Sequence, residues 1–145
     1  MKILLRLTTI SFIAVLPISS WGICIKNNRA NIRSGPGTSY QIVWEVYQHM
    51  PFRKMGRKGK WIKVKDFEGE VNWVHSKLVT SAYMCAVVKA ETANRRSGPG
   101  TRYRKLGSAA KYYSFKVIKK TGKWVKLKDD YGEVFWIYRP LLWVN

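Results

Sequence analysis

Hydrophobic and polar positions alternate through much of the chain, and they do so twice. Over residues 61–65, Ile62 and Val64 fall on one side while Trp61, Lys63 and Lys65 fall on the other. Residues 124–128 copy this, with Val125 and Leu127 against Trp124, Lys126 and Lys128. A period of two marks a strand that buries one face. The aliphatic pair is therefore expected in a core, and the tryptophan on the wetter face beside lysines. There it either closes the sheet edge by packing on its neighbours or belongs to a recognition surface. Trp73 and Trp136, between valine-rich flanks, are expected to be core or half-buried. β-branched and aromatic runs predict strands over residues 42–47, 50–55, 60–65 and 70–75, with Leu78 and Val79 closing the first half. The second half predicts strands over 83–88, 115–118, 124–128 and 133–138. Turn residues separate them at Ser34-Gly35-Pro36-Gly37-Thr38, over 56–59 and over 67–69. Beyond residue 22 no helical period is sustained, so an all-β chain is expected.

The alternation repeats because the sequence does. Residues 30–40 read ANIRSGPGTSY and residues 93–103 read ANRRSGPGTRY, an offset of 63 positions from Asn31 to Asn94. Without a gap, Trp61 then matches Trp124, Asp66 matches Asp129, Trp73 matches Trp136 and Leu78 matches Leu141. A period this long means two copies of one small folded unit. The expected units are residues 23–80 and 83–145, joined by a short linker. Units of about 60 residues are marginal alone. They need a disulfide, a docked neighbour or a dense aromatic core, and the chain has seven Trp and eight Tyr.

Residues 1–22 are of another kind. Lys2 and Arg6 precede a mostly apolar run over 7–18, and small residues follow at Ser20 and Gly22. This is the three-part pattern of a secretory signal, and the run is shorter than a membrane-spanning helix needs. A periplasmic or secreted protein is expected, with cleavage near Trp21 or Ile23. Cys24 and Cys85 sit at similar places ahead of the two motifs. In an oxidising compartment they can bridge the units, or each can be a separate buried thiol. His49 and His75 are the only histidines, too few with two cysteines for a zinc site of usual spacing. No metal, cofactor or catalytic residue is expected. The acids gather at Asp66-Glu68-Glu70 and Asp129-Asp130-Glu133, where charges on a solvated strand connection are the plain reading.

Each unit resembles the bacterial SH3-like domain of secreted and cell-envelope proteins. The resemblance rests on Asn31, Arg33, the SGPGT turn, Tyr40, Trp61, Val64, Gly69, Trp73-Val74-His75 and Leu78. The second copy carries Asn94, Arg96, the same turn, Tyr103, Trp124, Leu127, Gly132, Trp136-Ile137 and Leu141. It implies a small five-stranded barrel per unit and a role in binding rather than catalysis. The family usually has glycine before the final tryptophan; here Asn72 and Phe135 stand there. Gly107 replaces Trp44, and Tyr138 replaces His75. The two copies should therefore not bind equally well.

Charge narrows the partner. With 27 basic and 8 acidic residues the chain carries +19, and without Lys2 and Arg6 it carries +17. Such an excess concentrates anionic partners and makes their association salt-sensitive. Outside the inner membrane this points to an anionic cell-wall polymer such as peptidoglycan, with peripheral contact to an anionic membrane surface. Nucleic acid would suit basic and aromatic surface, but the secretion pattern argues against it as a native partner. Arg33 and Arg96 supply charge beside the turn; Tyr40, Trp61, Tyr103 and Trp124 supply rings for stacking. The alternative is a scaffold that binds extended or proline-rich peptides of another envelope protein.

Overall fold

A computed structural model describes residues 22–145. The leader expected over residues 1–22 lies, Gly22 apart, outside them. The first sheet is built from β1 (Gly22–Ile25), β2 (Arg29–Arg33), β3 (Ile42–Tyr47), β4 (Pro51–Lys58), β5 (Trp61–Lys65) and β6 (Val71–His75), then a 3-10 turn (Ser76–Leu78) and β7 (Val79–Thr80). The second repeats it with β8 (Cys85–Val88), β9 (Thr92–Arg96), β10 (Lys105–Ala110), β11 (Ser114–Thr121), β12 (Trp124–Lys128) and β13 (Val134–Tyr138), a 3-10 turn (Arg139–Leu141) and β14 (Leu142–Val144).

The fold is all-β, as expected, but each unit is a seven-stranded sheet rather than a five-stranded barrel. Strands run in the order β3-β2-β6-β5-β4-β1-β7, and correspondingly β10-β9-β13-β12-β11-β8-β14. The end strands of each order are not hydrogen-bonded to one another, so neither sheet closes. The extra strands are short and come from weak sequence signals. Lys105–Ala110 reads KLGSAA, which has little β propensity, yet it pairs with β9 along its length. The β4–β5 connection also differs from expectation. The turn expected over 56–59 begins later, at Gly59, whose φ of 58° suits glycine. β4 reaches Lys58 by absorbing one extra residue in a bulge between Lys54 and Gly56.

Alternation fills two cores. Ile32, Phe52, Val64 and Val74 are buried in the first; Phe115, Leu127, Phe135 and Ile137 in the second. Fully burying a side chain of this size contributes about 1.5–3 kcal/mol. The units also lean on each other. Val87 of β8 joins the first core, and Trp143 packs against it. Cys24 and Cys85 form a disulfide, with Cα atoms 6.1 Å apart. Asn145 Nδ2 donates to the Ile23 carbonyl at 2.8 Å, and Ser114 Oγ donates to the Gln48 carbonyl at 2.8 Å.

Candidate functional site

The SGPGT turn is fixed by two features that recur in both copies. Arg33 Nη1 donates to the carbonyls of Thr38 at 3.0 Å and Tyr40 at 2.9 Å. Arg96 Nη1 does the same to Thr101 and Tyr103, both at 3.1 Å. The ring of Tyr40 lies directly on Gly35, and that of Tyr103 on Gly98, where any Cβ would overlap the ring. The turn therefore needs glycine there for room, and the tyrosine holds it from outside.

Braced in this way, the turn forms one wall of a groove. In the first unit Arg33 and Thr38 face Trp61 at the start of β5, with His75 at the end of β6 and Leu78 of the 3-10 turn closing the end; the groove encloses about 410 Å³. In the second unit Arg96, Thr101, Trp124, Tyr138 and Leu141 surround about 480 Å³. Every one of these positions is related to its counterpart by the same offset of 63. The sequence-predicted Arg33 and Trp61 are thus brought together, as are Arg96 and Trp124. The rings of Tyr40 and Tyr103 are not among the residues lining the grooves; they remain on the turn. Trp61 is half-buried and packs edge-on against His75, ring centres 5.2 Å apart. Trp124 packs tilted on Tyr138 at 5.5 Å. The tryptophan thus packs at the sheet edge and also presents a wall.

His75, Leu78, Tyr138 and Leu141 were not singled out as site residues from sequence. Their signal was present, since they recur at the repeat offset and flank the 3-10 turn. His75 Nδ1 accepts from the Lys77 amide at 3.1 Å. Slight desolvation first, then Lys77 and Lys60, holds its pKa below the ordinary histidine value. A neutral ring is what that acceptor role requires.

A second cleft lies on another side of each unit, around the β5–β6 connection. Asp66, Glu68 and Glu70 line it in the first unit, and Asp129, Asp130 and Glu133 in the second. The first aspartate of each trio caps its own turn. Asp66 Oδ1 accepts from the amides of Glu68 at 2.9 Å and Glu70 at 3.0 Å. Asp129 Oδ1 accepts from Tyr131 at 3.0 Å and Glu133 at 2.8 Å. In the first unit Trp44 stands in the cleft, and Tyr112 of the second unit packs on it at 6.0 Å and on Phe67 at 5.6 Å. In the second unit the counterpart of Trp44 is Gly107, and Arg95 occupies the space beside it.

Models of the bacterial SH3 domain match residues 26–80 and residues 91–142. Among curated relatives, YrvJ of Bacillus subtilis, provisionally named an N-acetylmuramoyl-L-alanine amidase, is 30% identical over 71% of this chain and 22% of its own length. LytH of Staphylococcus aureus, provisionally named a cell wall amidase, is 38% identical over 38% of this chain and 19% of its own length. The chain thus spans about a fifth of the length of these relatives. Among solved structures, an NlpC/P60 family protein from Bacillus cereus superposes with a TM-score of 0.38 at 12% identity, over 86% of this chain and 56% of that one. The CBD of the endolysin LysPBC5 superposes with a TM-score of 0.37 at 15% identity, over 90% of this chain and 98% of that one. Superpositions this loose carry no argument about the site.

Proposed function

The chain belongs to the bacterial SH3 domain family, with two domains in tandem, and from that premise we propose that it is a non-catalytic binding protein of the cell envelope, periplasmic or secreted. Its ligand is peptidoglycan or another anionic cell-wall component, held in the two equivalent grooves. The observation that carries this reading is the pairing itself: one arginine, one tryptophan and one turn recur in the same arrangement in both copies. Trp61 and Trp124 offer ring faces to a sugar or peptide, and Arg33 and Arg96 offer guanidinium charge. Tyr40 and Tyr103 act at the outer side of the turn. The names of LytH, as a cell wall amidase, and of YrvJ, as an N-acetylmuramoyl-L-alanine amidase, support a wall ligand for the region they share with this chain. A binding role is further supported by the chemistry left over: both cysteine sulfurs are committed to the disulfide, and a thiolate nucleophile needs a free one.

Retention of the oxidised protein on purified sacculi across a salt series tests the reading. Binding at low salt that weakens as salt rises is expected, and Trp61→Ala with Trp124→Ala should remove it. No retention at low salt would overturn it. A second reading is favoured by the groove shape, since a cleft between a turn and a 3-10 segment, walled by tryptophan, also suits an extended peptide. Crosslinking in intact cells to one dominant envelope protein would select that reading instead.

A further inference from the structure

The outer face of the β4–β5–β6 sheet, and its copy in the second unit, carries cations with no acids to balance them. Residues directly opposite across a ladder share a face, so the register reads the face off. In the first unit Lys65 stands opposite Arg53 on one side and Val71 on the other; Lys63 stands opposite Gly56 and Trp73; Trp61 stands opposite Lys58 and His75. In the second unit Lys128 stands opposite Lys116, Lys126 opposite Lys119 and Trp136, and Trp124 opposite Tyr138. Trp61 and Trp124 lie at the groove end of each grid and Trp73 and Trp136 in its middle, with lysines beside and beyond them.

Like charges directly opposite one another destabilise a sheet, and this face has three such pairs: Arg53 with Lys65, Lys116 with Lys128, and Lys119 with Lys126. Arg53 and Lys116 lean away onto the rings of Trp143 and Tyr83, at 5.4 and 4.7 Å. Lys63 and Lys126 likewise lie over the rings of Trp73 and Trp136, while Lys65, Lys119 and Lys128 have no ring beneath them. Among the described residues, ion pairs join Arg29 to Glu45, Arg95 to Glu133 and Lys111 to Glu91, and His49 Nε2 lies 3.2 Å from Asp130. None reaches this face. Six of the eight acids line the other cleft instead. In both copies the face therefore keeps its positive charge with no acid paired to it.

We propose that this face is a second binding surface, separate from the grooves, and that its partner is a glycan chain bearing phosphate diesters. Three observations choose that chemistry. The cations without a ring are lysines, which meet phosphate as point charges and offer no planar fork that would select a carboxylate. Lys63 and Lys65, like Lys126 and Lys128, are two residues apart on a strand, so their charges repeat about every 7 Å along an extended polymer. Trp73 and Trp136 lie in the middle of the grid beneath Lys63 and Lys126, each ammonium 5.9 Å from its ring centre. A sugar carrying a phosphate can meet the ring and the ammonium together. A bilayer cannot use rings that are half-buried under lysines.

Titration of the oxidised protein with a soluble phosphomannan tests this, beside the same mannan after dephosphorylation and vesicles of phosphatidylglycerol. Phosphomannan binding is expected to weaken about tenfold in the variant Lys63→Gln, Lys65→Gln, Lys126→Gln, Lys128→Gln, the sum expected of several exposed ion pairs. The equally charged control Lys26→Gln, Lys54→Gln, Lys89→Gln, Lys105→Gln should stay near the parent, with the same circular dichroism in both. Removal of phosphate from the mannan should cause a loss similar to that of the first variant. Equal weakening in both variants, indifference to phosphate, or tighter binding to vesicles than to phosphomannan would each overturn the proposal. Because sacculi are not used, its failure leaves the groove reading standing.

Discussion

The two copies fill one region of the sheet with different residues, and three changes compensate each other. In the first unit Ile32 is buried in the core, Trp44 covers the sheet and Asn72 lies half-buried on β6. In the second unit the same three positions are Arg95, Gly107 and Phe135. Phe135 turns into the core, 1% exposed, and packs edge-on against Phe115 at 5.0 Å. It replaces the apolar volume that Ile32 supplies in the first copy. Arg95 then lies over the Phe135 ring at 5.0 Å and reaches Glu133 at 3.4 Å. Gly107 gives it room: a Cβ there would stand 2.9 Å from an Arg95 nitrogen. A small sheet can thus exchange core position, cover and charge without changing strand order, provided the volumes still sum. The groove's arginine, threonine, tryptophan and leucine were spared this drift, while His75 became Tyr138 and the lining residues Arg29, Glu45 and Lys77 became Thr92, Ser108 and Pro140.

The strongest way to break the comparison is at Phe135. Phe135→Ala should destabilise the second unit by about 3–5 kcal/mol by opening a core cavity, while Asn72→Ala should stay within about 1 kcal/mol. Thermal and denaturant unfolding would register the difference. Next, Cys24→Ser with Cys85→Ser should lower stability by about 2–4 kcal/mol, since the bridge closes a long loop across the units. Calorimetry should then show the two copies melting less cooperatively, the second following the Phe135 variant. Third, Gly107→Trp alone should cost about 1–3 kcal/mol, through the clash with Arg95 and through strain at its φ of 151°, and adding Arg95→Ile should recover only the part due to the clash.

The smallest effect concerns pH at the joint. His49 Nε2 sits 3.2 Å from Asp130, and its Nδ1 is buried without a partner. Burial holds its pKa below 6.5; Asp130 pulls it upward in part, and Lys116 pushes it further down. The folded state therefore prefers the neutral ring. Its contribution to stability is complete above pH 6.5 and is lost as pH falls through the depressed folded value. His49→Asn, a residue that tolerates the φ of 68° found there, should flatten stability against pH on the acid side of 6.5. An unchanged slope would assign the acid sensitivity to other groups.

Much of this was legible along the chain. The alternation in residues 61–65 and 124–128 placed Ile62, Val64, Val125 and Leu127 in the cores, and the repeat placed the same turn in both units. The groove partners Arg33 with Trp61 and Arg96 with Trp124 were legible by residue type, although residue type says nothing of their meeting. That depends on the arginine bracing the turn through two carbonyls, a tertiary fact. The fates of Tyr40 and Tyr103 were hidden for a similar reason, because a ring on a glycine looks in sequence like a ring free to stack. The extent of β4 was ambiguous between two glycines, and β10 and β14 are held by their ladders more than by their own residues. Phe135 was recognisable as a departure, but not as the partner of Arg95 and Gly107, which lie on other strands.

The seam between the copies has a consequence for whatever they hold. Disulfide, shared Val87 and the Asn145 amide leave little freedom for one half to swing against the other. On the proposed reading, the two grooves act as the jaws of a fixed-gap gauge. A ligand whose repeat matches that gap gains the second contact at high effective concentration, while one that does not match gains nothing from the duplication. Cutting the bridge should blunt that discrimination before it weakens either jaw alone.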